Sequence, residues 1–116
     1  MIESDRRIGP VLPHIPHLYY CDALEGKDPL GKEVPPGFRI DISKVIDKKA
    51  DMLAAHASQR DWLMKHHGID HYLQAMRDWC AQRGRECAVL FAEGFRQHLG
   101  HSYPQDNVIG KLLGAK

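Results

Sequence analysis

Two kinds of hydrophobic spacing alternate along this chain. Phe38-Arg39-Ile40-Asp41-Ile42 places apolar residues at every second position, the pattern of a half-buried strand. Directly after it, Ile42, Ile46, Ala50, Leu53 and Ala57 recur at helical spacing, with Val45 and Met52 flanking the stripe. Ser43 is placed to cap that helix and Asp47 to meet the positive end of its dipole. The helix is expected to run to His56-x-Ser58-Gln59, with His56 at the edge of the apolar stripe in the last turn, a position that can be half buried and aimed at a cleft. A second helix is predicted over residues 69–83. Ile69, Tyr72, Leu73, Met76, Trp79 and Cys80 form its apolar face, Arg83 lies in its last turn, and Gly84 is placed to stop it. Cys87 to Ala92 is a short apolar run that reads as a buried strand, and His17 to Ala23 as another.

The rest of the chain is punctuated. Pro10, Pro13 and Pro16 give an extended lead-in. Residues 24–37 carry three glycines and three prolines and read as a long, functional loop. Residues 59–68 contain Trp62, Leu63 and Met64 and are expected to pack down as a flap. The tail ends in a weak helical turn near Val108 to Leu113. The expected fold class is therefore α/β, with about three short strands and two main helices. We divide the chain as one partial domain: lead-in, strand and loop at 1–37, a strand–helix–helix–strand core at 38–96, and a tail at 97–116. So few strands leave open sheet edges and little buried surface, so the chain reads as incomplete or obligately partnered.

Composition narrows the function. With 43% hydrophobic and 27% charged residues the 116-residue chain is globular. Sixteen basic and fifteen acidic residues nearly cancel, which argues against nucleic acid and anionic membranes as partners. No apolar run is long enough to cross a bilayer, and Met1 to Pro10 lacks the apolar core of a secretory signal. The three cysteines form no C-x-x-C pair, which fits reduced thiols and a cytoplasmic location.

Eight histidines are many for this length. His14-x-x-His17 sits in the proline-rich lead-in without a nearby carboxylate. His67-x-x-x-His71 straddles a helix start and lacks the glutamate of a zincin. His98-x-x-His101 reads as a solvated tail. None is a zinc site by spacing alone, because zinc takes three or four protein ligands. The charges from Asp47 to Asp51 read as the wet face of the first helix, and Glu93 with Arg96 as a brace at a strand end. There is no Gly-rich phosphate loop. Ser58 has no G-x-S-x-G context, and Cys80 lies on a buried helix face, where a thiolate is disfavoured.

Asp41 to Arg60, DISKVIDKKADMLAAHASQR, followed by Ala92-Glu93-Gly94-Phe95-Arg96, resembles the C-terminal part of the LmbE-like (PIG-L) family of zinc-dependent N-deacetylases. The likeness extends over most of the chain, from the strand before the long loop to Arg96. It implies that the chain is the C-terminal fragment of a Rossmann-like LmbE fold. It implies an activity too: hydrolysis of the acetamide of an N-acetylated amino sugar by a zinc-activated water. By position His56 is the counterpart of a ring side chain that faces the pocket, in an oxyanion-stabilising or substrate-orienting role, and Gln59 is a substrate-side residue. The family's N-terminal His-Pro-Asp-Asp motif and its mid-chain His-x-x-His-type motif have no counterpart here. The resemblance thus implies zinc in the complete enzyme and none bound by this chain alone, and a missing N-terminal half or a homo-oligomeric partner. The second reading is a non-catalytic oligomeric interaction module built on the same fold.

Overall fold

The structure, a computed structural model, describes residues 12–56 and 69–116. Three strands, β1 (Tyr19–Cys21), β2 (Phe38–Asp41) and β3 (Ala92–Gln97), form one sheet in the order β1-β3-β2. Among the described residues three helices accompany them: α1 (Ile46–Ala54), α2 (Ile69–Arg85) and α3 (Val108–Leu113). The protein is mixed α/β, and both strand pairings are antiparallel. No parallel pair of the Rossmann-like kind occurs among the described residues. No helix among them is long and apolar enough to cross a membrane.

The register explains the core. In the β2–β3 pair, Phe38 faces Phe95 and Ile40 faces Glu93. Directly opposed side chains share a face, so Phe38, Ile40 and Phe95 lie together. Phe38, Ile40, Ile42, Ile46 and Cys80 form the buried cluster, with Tyr19, Met76, Phe91, Phe95 and Ile109 packed against it. Phe38 stacks on Phe95 at 5.8 Å and meets Tyr19 edge-on at 5.9 Å. Both geometries suit aromatic quadrupoles.

Several local expectations are corrected. β3 begins at Ala92, where the predicted strand ended. Residues 86–91 form a turn instead, with Ala88 in the left-handed region at φ 61°. Gly84 does not stop α2, which continues to Arg85. It lets the returning chain come close: Cys87 and Val89 donate their N–H groups to the Gly84 carbonyl, and a Cβ there would lie 2.5 Å from the Val89 oxygen. Ser43 does not cap α1. The N-cap is Val45, without a side-chain cap bond. Asp41 Oδ1 instead accepts both the Ser43 N–H (2.9 Å) and its hydroxyl (2.6 Å), and Ser43 Oγ in turn accepts the Phe91 N–H. Such local side-chain bonds compete with capping.

The loop of residues 24–37 is organised. It holds a 3-10 turn (Leu24–Gly26) and a bridge between Lys27 and Glu33. Asp28 Oδ1 accepts the N–H groups of Leu30 and Lys32, an Asx-type turn that shapes the tip. The expected strand over residues 17–23 shrinks to β1. The predicted flap at residues 59–68 lies outside the described residues.

Candidate functional site

Residues 41–56 and 92–96 meet in space. α1 and β3 are tied by Lys49, whose ammonium lies 2.5 Å from Glu93 Oε1 and 3.5 Å from Cys80 Sγ. The strand before α1 is stitched to the residue before β3: the Ile42 N–H donates to the Phe91 carbonyl at 2.9 Å, and Ser43 brackets the same residue. Burial works to lower the pKa of Lys49. The hydrogen bond and charge of Glu93, with Cys80, outweigh it, and the net direction is upward, so Lys49 stays charged at neutral pH. Burial pushes the Cys80 thiol up, which keeps it protonated.

Lys49 therefore is not part of a wet face, as its charged neighbourhood suggested. Asp47 also has a partner, Arg77 of α2, at 2.9 Å. Nor does Glu93 brace Arg96. Residues three apart on a strand point to opposite faces, and Arg96 is exposed.

His56 lies just past α1. The closing turn tightens: the Ala55 N–H is shared between the Asp51 and Met52 carbonyls (3.1 and 3.3 Å), and the His56 N–H donates to Leu53 at 3.3 Å. α1 ends at Ala54, so His56 is two residues beyond the helix and its ring is exposed. Val45 and Met52, eleven and four residues earlier, are 49% and 65% exposed. Gln59 and Ser58 lie outside the described residues.

A second constellation was not visible in the sequence. Arg83 of α2, 7% exposed in its side chain, donates to Asp22 from Nε (2.6 Å) and from its second terminal nitrogen (3.0 Å). Its remaining nitrogen reaches both oxygens of Glu86 at 3.1 and 2.9 Å. Glu86 also takes Arg39 Nε at 2.7 Å, and Asp22 takes Trp79 Nε1 at 3.0 Å. The guanidinium carbon stands 4.5 Å from the Trp79 ring centre. Hydrogen bonding to Asp22 raises the pKa of Arg83 still further, so it stays charged. This network locks β1, β2 and α2 together. Only the short Arg83–Glu86 spacing could have hinted at it.

Two of the histidines, His17 and His98, make contacts within the fold. His17 Nε2 lies 2.9 Å from Asp106 Oδ1, and that bond holds the Asp106 carboxyl below its usual range. His98, expected to be solvated, has Nδ1 2.6 Å from the Tyr20 hydroxyl and stands edge-on to Tyr103 at 4.2 Å. His71 and His101 are exposed. Among the described residues no three His, Cys, Asp or Glu side chains converge as a metal would require.

Comparison with models of known protein families, with curated proteins and with solved structures gave no match.

Proposed function

We propose that this chain forms one wall of the substrate pocket of a zinc-dependent N-deacetylase acting on N-acetylated amino-sugar conjugates. In this reading it is the C-terminal portion of a Rossmann-like enzyme, and the metal is held by polypeptide outside this sequence. The observation that supports it is the ionic tie between Lys49 and Glu93. It joins DISKVIDKKADMLAAHASQR to AEGFR, the two segments that resemble the family. A pair 44 residues apart in sequence holds α1 at a fixed angle to β3, and so fixes where the end of α1 is presented. At that end the exposed ring of His56 supplies a hydrogen-bond donor to the developing oxyanion or orients the acetamide. Gln59 follows as a substrate contact.

The purified chain, assayed with zinc and an N-acetylglucosamine conjugate, is expected to release no acetate. Combined with a polypeptide that supplies the metal site, it is expected to restore hydrolysis. His56→Ala in that assembly lowers kcat by about ten- to a thousandfold if His56 is an oxyanion donor. Acetate release by the chain alone refutes the division of labour. An unchanged kcat in His56→Ala removes His56 from the site.

A further inference from the structure

We infer that the outer edge of β2 is a docking surface for the β2 edge of a second copy of this chain, and that the last three residues occupy it as a removable plug. β2 is an edge strand, since β3 covers its other side. Its outward backbone groups at Arg39 are nonetheless paired. The Arg39 N–H donates to the Lys116 carbonyl at 3.1 Å, and the Lys116 N–H donates to the Arg39 carbonyl at 2.7 Å. Two reciprocal bonds between one pair of residues make an antiparallel bridge.

The plug is aimed by its local geometry. α3 starts at Asn107, whose side chain accepts the Gly110 N–H at 2.9 Å. It stops at Gly114, which adopts the left-handed conformation at φ 68°. The N–H groups of Gly114 and Ala115 both return to the Gly110 carbonyl. This reversal turns the chain so that Lys116 reaches β2. Ile109 packs on the core cluster and anchors the helix behind the plug.

The edge beneath is complementary to itself. Backbone groups alternate in direction along a strand, so Asp41 presents its pair to the same side as Arg39. Two copies of β2 related by a two-fold axis then pair with Ile40 opposite Ile40, Arg39 opposite Asp41, and Phe38 opposite Ile42. Each Arg39–Asp41 couple brings opposite charges across the new ladder, an arrangement that stabilises antiparallel pairs, with Arg39 still holding Glu86 and Asp41 still holding Ser43. The buried residues Phe38, Ile40 and Ile42 stay on one face, continuous across the axis. The product is a six-stranded antiparallel sheet with an isologous interface. Lys116 and the second copy compete for the same two backbone groups.

Sedimentation equilibrium on four versions of this 116-residue chain tests this. A Cβ at Gly114 would meet nothing within 4 Å, so Gly114→Val acts by backbone strain at the reversal and not by collision. Lys116→Pro removes one of the two plug bonds and leaves the α3 cap intact. It carries the test where circular dichroism shows Gly114→Val unfolded. The expected result is a dimer at least tenfold tighter in each folded variant than in the native chain. Adding Asp41→Lys to whichever of the two folds sets like charges against Arg39 and returns association to the native level or weaker. Hydrogen exchange at the Arg39 amide follows the plug directly. It is slow in the native chain at any concentration, and in the variants fast when dilute and slow when concentrated. Folded variants no more associated than the native chain, or association indifferent to Asp41→Lys, overturn the inference.

Discussion

Cutting the bond between Asp22 and Arg83 tests how much of this small fold depends on one buried charge network. Asp22→Ala removes an acceptor that takes three hydrogen bonds, two from Arg83 and one from Trp79. The guanidinium left behind is 7% exposed. Breaking a buried pair by deleting one partner costs about 3–5 kcal/mol, because the surviving charge is stranded. Glu86 retains its two contacts to Arg83, which places the expected loss at the lower end, about 3 kcal/mol. Against a total of about 5–15 kcal/mol for a domain this is a large fraction. With a urea dependence of about 1.5 kcal/mol per molar, the midpoint falls by about 2 M. Urea titration followed by far-ultraviolet circular dichroism measures it. Asp22→Asn keeps the shape and one acceptor oxygen and loses less. The cycle of Asp22→Asn, Arg83→Met and the double variant isolates the coupling. A loss below about 1 kcal/mol in Asp22→Ala, or a coupling energy near zero, refutes the view that this network holds β1 to α2.

Gly84→Ala drives a methyl group to within 2.7 Å of the backbone at Val89 and Leu90, and is expected to cost about 2–3 kcal/mol by thermal or urea unfolding. Ala88→Gly relieves an exposed left-handed residue and is expected to stabilise by about 0.5–1 kcal/mol in the same titration. The Lys49–Glu93 tie predicts an alkaline limb. The folded pKa of Lys49 is raised, so its contribution is complete below the ordinary lysine value of about 10.4 and is lost as pH rises through the folded value. Melting curves from pH 9 to 12 should show this limb in the native chain and lose it in Glu93→Gln. His56→Ala alters an exposed side chain and is expected to change stability by less than about 0.5 kcal/mol, which separates any effect on catalysis from one on folding.

β2 and α2 were legible because their apolar periods are carried by bulky residues: Phe38, Ile40 and Ile42 in one, Met76 and Cys80 in the other. β3 was misplaced because its period is carried by small ones. Ala92 and Gly94 are its buried positions. A Cβ on Gly94 would fall 2.8 Å from Pro36 and 3.1 Å from Asp22, so space and not hydrophobicity sets that residue. The preceding CAVLFA mimicked a buried strand, yet Leu90 is 76% exposed and Ala88 turns the chain. At the site, the helical stripe ran α1 too far: His56 lies two residues past its end and is exposed. The partners of Lys49 and Arg83 were hidden, because a sequence does not display pairs that lie 44 and 61 positions apart.

The centre of the sheet is the last of its strands to be synthesised. Tyr20 waits for His98, 78 residues downstream, and β2 likewise has no neighbour until Ala92 to Gln97 have left the ribosome. Closing loops of that length precedes any reward from pairing, so this sheet assembles more slowly than one built from strands adjacent in sequence. Through most of translation β1 and β2 are bare ribbons, and nascent copies crowded on one messenger run their greatest risk of entanglement in that interval.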